Sequence, residues 1–200
     1  MIAVAKRGER KADLLVAAQR AMATHGTAVR LHQIAEEAGV TAGAVLYHYP
    51  DTQALLIEAN RAGMARFYDE RVAAIAGIDD PARRLVVTIR SGLPVNPDDP
   101  DVRLLCALGG EAARNTTYAV LLTALFDQQV ALYRSILEDG VKAGVFTLAG
   151  DPQSIARNLV ALEDAYGYRI MAKHPMLDTD AATDLILDYA RMATRHPLEP

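Results

Sequence analysis

Two hundred residues, 51% of them hydrophobic and none of them tryptophan, make enough chain for a packed core of one or two domains without disulfides or metals. A lone cysteine, Cys106, excludes a disulfide framework and a thiolate zinc cluster and favours a reducing, cytoplasmic setting, while the charged opening MIAVAKRGERKADLL and the lack of eighteen consecutive apolar residues argue against a signal peptide or a membrane partner. The net charge of −4 hides a split: residues 1–50 carry six Lys/Arg against four Asp/Glu and residues 51–200 fifteen against twenty-one, with Lys6, Arg7, Arg10 and Lys11 clustered at the front, as on a nucleic-acid arm attached to an acidic body.

After the polar start, Leu14, Leu15, Ala18, Ala21 and Met22 recur at three- and four-residue spacing and predict an amphipathic helix that ends at His25-Gly26. A short helix fits 31–38, with Leu31, Ile34, Ala35 and Ala38 inward, and Gly39 stops it. Thr41 is placed to cap a third helix that runs to about Tyr49, before Pro50. A long helical pattern follows over 52–76 with Asp51 as its cap. Further helices read at 81–92, 101–114, 116–144, 152–173 and 179–195, and Pro94 to Pro100 is the clearest loop. No segment alternates long enough to make a convincing strand. The chain is predicted all-α, three N-terminal helices followed by a larger helical part.

The stretch from Gln33 to Tyr49 is the informative one. Two short helices crossing steeply need a small residue at the crossing, supplied by Ala35, and a tight bend four residues on, where Gly39 accepts a positive φ. Val45, six residues past Gly39, faces back beside Ile34. That leaves Thr41, Ala42, Ala44, Tyr47 and His48 outward, a surface for a major groove and its phosphates, with His32 joining from the preceding helix. Tyr47 and Tyr49 cannot share a helix face, so one is core and the other free for phosphate. The alternatives are a helical adaptor that uses the hairpin only for packing, or a small-molecule binder with no DNA role. An enzyme is disfavoured because the five histidines are scattered, with no HExxH, Walker loop or GxSxG.

Ile34-Ala35-Glu36-Glu37-Ala38-Gly39-Val40-Thr41-Ala42-Gly43-Ala44-Val45, then Leu46-Tyr47-His48-Tyr49-Pro50-Asp51 and Ala54-Leu55-Leu56, resemble the helix-turn-helix signature of the TetR family of transcriptional regulators. The resemblance implies a DNA reader over 1–51, a connecting helix over 52–76 and a ligand-sensing, dimerising domain over 77–200. It further implies a homodimer that binds double-stranded operator DNA and represses until a small-molecule effector releases it, with no cofactor. DNA contacts would fall on His32, Thr41, Ala42, Gly43, Ala44, Leu46, Tyr47, His48 and Thr52. Leu46 and Thr52 depart from the family pattern, standing where a phosphate-contacting tyrosine and lysine are common.

For the sensor, Cys106, Glu111, Arg114, Tyr118, Tyr133, Glu163 and Tyr166 are the candidates, because carboxylates among tyrosines suit a cationic ligand through charge and cation–π contacts. The same groups also suit surface charges and core aromatics. The run from Glu163 to Met171 and Pro175-Met176-Leu177-Asp178 resemble the TetR-like subgroup whose sensor is like that of the choline-responsive repressor, which implies an amine or quaternary ammonium effector. The apolar residues of 152–173 and 179–195, among them Leu159, Leu162, Leu185 and Met192, are expected to pair two subunits, since two readers about 34 Å apart need a symmetric partner.

Overall fold

The computed structural model describes residues 2–199, with side chains from Glu9 to Glu199 except that of Thr27. Lys6 and Arg7 of the basic cluster therefore lie outside the described side chains. Among the described residues the chain is nine α-helices and no strand: α1 (Ile2–His25), α2 (Leu31–Glu37), α3 (Ala42–His48), α4 (Thr52–Ile75), α5 (Pro81–Ser91), α6 (Pro100–Ala112), α7 (Thr116–Lys142), α8 (Pro152–Met171) and α9 (Thr179–Thr194), with a single 3-10 turn, Gly26–Ala28, after α1. The all-α expectation holds. Most ends fall where the sequence placed them because their chemistry is local. Asp80, Asp151 and Asp178 accept backbone N–H groups at the starts of α5, α8 and α9, and proline stands at the start of α5 and α8.

Two compact units divide the chain, one made of Met1–Arg66 and Arg103–Leu122, the other of Phe67–Val102 and Thr123–Pro200. The first unit packs α1 on α2 and α2 on α3. Its core is Leu14, Ala18, Ala21, Met22, Ile34, Val45, Leu55 and Ala59, all buried. Gln19 donates to the Ala59 carbonyl at 2.7 Å and accepts from Arg66 at 3.0 Å, which fixes α1 against the start of α4. Gly63 serves this packing: a Cβ there would stand 2.8 Å from the Leu104 side chain of α6.

In the second unit one cluster gathers Leu85, Ile89, Tyr133, Leu137, Phe146, Leu159, Val160, Ile186 and Leu187 from α5, α7, α8 and α9. The loop before α6 is tied by its own polar residues. Asn96 accepts from the Asp98 N–H, Asp99 accepts from Val95, Asp101 and Val102, and the Thr179 hydroxyl donates to the Pro94 carbonyl at 2.6 Å. No described helix is long and apolar enough to cross a membrane.

Candidate nucleic-acid interface and a buried cation cage

The turn between α2 and α3 is built by backbone hydrogen bonds. The Gly39 N–H donates to Glu36 O at 3.0 Å and the Val40 N–H to Ala35 O at 2.9 Å, the paired bonds of a Schellman ending, with Gly39 in the left-handed region at φ +63°. Thr41 then accepts the Ala44 N–H on its hydroxyl at 3.2 Å and starts α3. Seven residues cannot hold a helix alone. Tertiary packing does it, because Val45 and Ile34 are fully buried and Ala35 nearly so.

With Val45 turned inward, the other side of α3 is left to solvent. Thr41, Gly43, Ala44 and Leu46 are exposed, and Ala42, His48 and Thr52 are half-buried. Tyr47 is 71% exposed and Tyr49 only 4%, which sorts the two tyrosines into one surface and one core residue. The Tyr47 and His48 rings meet edge to face at 5.1 Å. His32 is exposed on α2. Of the basic arm, Arg10 is exposed, while the Lys11 ammonium lies 4.8 Å from the centroid of the Tyr49 ring.

The candidate sensor residues are divided between the two units. Cys106 and Glu111 are half-buried on α6, Arg114 is exposed after it, and Tyr118 is buried on α7. All four belong to the first unit. There Gln53 reaches the Tyr118 hydroxyl at 3.5 Å, and burial raises that phenol's pKa. Tyr133, Glu163 and Tyr166 belong to the second unit, where Tyr166 packs half-buried against the core cluster.

Tyr133 and Glu163 enclose a residue that the sequence reading passed over, Arg71 of α4. Its guanidinium donates to both Glu163 oxygens, Nη2 to Oε1 at 2.8 Å and Nη1 to Oε2 at 3.0 Å. It also donates to the Thr88 carbonyl at 3.0 Å, the Tyr133 hydroxyl at 3.3 Å and Gln129 Oε1. The Tyr133 hydroxyl in turn donates to Glu163. The Phe67 and Tyr133 rings each have their centroids 5.6 Å from the guanidinium carbon. Both partners of the pair are almost completely buried, 1% and 2% exposed.

Gly92 makes room for the carboxylate, since a Cβ there would fall 2.0 Å from Glu163 Oε1. Burial raises the Glu163 pKa and outweighs the opposing pull of Arg71, while burial and the Glu163 charge hold the Tyr133 phenol well above 10.0. A single donor is left over: Arg71 Nε is buried with no acceptor.

A three-helix N-terminal arrangement that offers a capped, solvent-facing helix beyond a tight bend defines a helix-turn-helix DNA-binding transcriptional regulator. Residues 14–59 match the sequence model of the bacterial regulatory proteins of the tetR family. The chain is 27% identical over 190 residues, 93% of its length and 90% of the relative's, to the HTH-type transcriptional regulator BetI of Rhizobium meliloti (strain 1021). Its similarity is thus to TetR-family transcriptional regulators, through the matched helix-turn-helix segment and, more distantly, along most of its length.

Solved structures agree. A transcriptional regulator from Saccharomonospora viridis in complex with choline superposes with a TM-score of 0.84 at 26% identity, covering 92% of this chain and 96% of that one. A TetR transcription regulator from Haloarcula marismortui ATCC 43049 does so at 0.82 and 22% identity, covering 93% and 98%, a likeness of fold.

Proposed function

We propose that the protein is a cytoplasmic repressor that acts by binding rather than catalysis: two copies present α3 to successive major grooves of a palindromic operator, and a small organic cation releases them. Residues 1–51 serve as the reader, 52–76 as the connecting helix and 77–200 as the sensing and dimerising part. The observation that carries the reading is α3 itself, held by the buried Val45 yet leaving Tyr47 71% exposed. Thr41, Ala42, Gly43 and Ala44 then approach base edges, where the short alanines contact thymine methyl groups. Tyr47, His48, Thr52 and His32 contact phosphates. The exposed Arg10 of α1 adds charge, standing in for the lysine that Thr52 replaces.

Pairing is supported by the side chains that α8 and α9 leave outside their own core. Leu159 and Leu187 are fully buried in it, whereas Tyr168, Leu185 and Met192 are 49%, 44% and 68% exposed. Selection of bound sequences from random duplex DNA tests the whole reading. A two-fold symmetric consensus with half-sites about one helical turn apart is expected, and recovery of no sequence above background at low salt contradicts it.

The cationic effector is favoured by the cage around Arg71. Glu163, Tyr133, Phe67 and Gln129 already supply what an organic cation needs, a carboxylate, two aromatic rings and oxygen acceptors. The Saccharomonospora viridis relative was solved with choline bound, which points to the same ligand chemistry.

A further inference from the structure

We propose that Arg71 is a tethered surrogate for the effector: its guanidinium fills the cage that the cationic head of a small organic cation takes over, and effector binding expels it. The inference rests on the cationic-effector reading and deepens it by naming the competitor and the helix that is freed.

Four observations support the exchange. The cage recognises a cation by charge and by ring faces, through the two Glu163 oxygens and the Phe67 and Tyr133 rings, and those contacts serve an ammonium as well as a guanidinium. Arg71 fits the cage imperfectly, because its Nε–H is buried without an acceptor, and an unmet buried donor offsets part of the pairing. A cavity of about 170 Å³ adjoins it, lined by Phe67, Glu70 and Arg71 of α4, by Arg90 of α5 and by Asp99 and Asp101. It gives the displaced guanidinium or an entering ligand space beside the cage, and the volume suits a small ammonium rather than a long-chain ligand. Finally, every acceptor of the guanidinium lies on α5, α7 or α8, so Arg71 supplies the polar fastening of this end of α4 to them, beside the packing of Ile75.

Loss of the Arg71 tether frees the C-terminal end of the helix whose N-terminal end follows the reader. A ligand that binds only the expelled form shifts the population toward it. Its apparent affinity is lowered by the fraction of time Arg71 occupies the cage, so removing the arginine raises the affinity. An arginine with a merely structural role behaves in the opposite way, its removal weakening or leaving unchanged the binding of any ligand.

The test uses the full chain with choline and tetramethylammonium as probes. By calorimetry, R71M is expected to bind choline about tenfold or more tighter than wild type. R71K, which keeps the charge but not the two-pronged pairing, is expected to fall between them. Because R71M carries a buried carboxylate and folds less readily, a second measurement uses the wild type alone. Arg71 is mapped by mass spectrometry after phenylglyoxal treatment, and its modification is expected to accelerate about tenfold or more when choline saturates the protein.

If wild type binds choline while Arg71 stays as protected as before and R71K and R71M gain no affinity, the surrogate role is overturned and the cationic-effector reading stands. If neither wild type nor R71M binds either cation, the cationic-effector reading falls, and the surrogate role with it.

Discussion

The reader and the cage put their chemistry in opposite places. In the reader, the groups proposed to meet DNA are short side chains and one tyrosine on the open face of a seven-residue helix, with the buried Val45 beneath them. In the cage, the groups that matter are an arginine and a glutamate that water scarcely reaches, held from four different helices. A surface that meets DNA gains by being small, polar and already in place. A site that answers to a ligand gains by being dry, because charge is discriminated most strongly where water is excluded.

The contrast predicts where the chain is fragile. E163A strands the Arg71 guanidinium in the interior and is expected to cost about 3–5 kcal/mol in urea unfolding, whereas the double variant R71M/E163L, which removes both charges, costs much less. Equal losses in the single and double variants would show that the pair is not acting as a unit.

In the reader the most sensitive point is a backbone one. G39A places a Cβ on a residue at φ +63° with nothing within 4 Å of it, so its cost of about 1–2 kcal/mol comes from the left-handed conformation alone. G39N is expected to recover part of that, since asparagine tolerates the conformation, and DNA affinity should follow the same order.

A gentler distinction comes from alkaline titration. Burial, with the neighbouring Glu58 second, pushes the Tyr49 phenol up to about 12, and Tyr133 is held well above 10.0. Both keep a proton that the unfolded chain releases near 10, so the stability they lend is intact below about pH 10 and drains away as pH rises through 12. Phenolate absorbance of the folded chain is expected to keep a fraction unionised above pH 10 that Y49F and Y133F each reduce. Loss of no such fraction in either variant would contradict the burial described for Tyr49 and Tyr133.

How much the sequence revealed follows the same divide. The reader was legible because its determinants are neighbours: Ala35, Gly39, Thr41 and Val45 lie within eleven residues, and each acts on the turn or the cap beside it. Helix boundaries marked by proline, glycine or aspartate were legible for that reason too. The cage was not, because Arg71 meets partners 17, 58, 62 and 92 residues away, and no local pattern reports such a meeting.

Glu163 and Tyr133 were picked out for a ligand from outside the chain, and the structure shows the chain's own cation between them. One signal was available. Ala59, Gly63, Phe67 and Arg71 follow one another at intervals of four, so Arg71 stands on the inward stripe of its helix, and a charge there calls for a buried partner. Also beyond local reading was the grouping of Arg103–Leu122 with the reader's unit, which assigns Cys106, Glu111, Arg114 and Tyr118 to one unit and Tyr133, Glu163 and Tyr166 to the other.

The central claim, that the open face of α3 is the DNA-reading surface, is tested most directly by A44E. Ala44 is exposed, and its N–H is the one that Thr41 caps, so a glutamate there completes a capping box and steadies the helix while setting a carboxylate against the phosphates. Thermal unfolding and titration of the selected duplex, measured together, are expected to show an unchanged or raised midpoint with DNA binding reduced to the non-specific level. A variant that keeps its fold and binds the duplex as tightly as wild type would contradict the account.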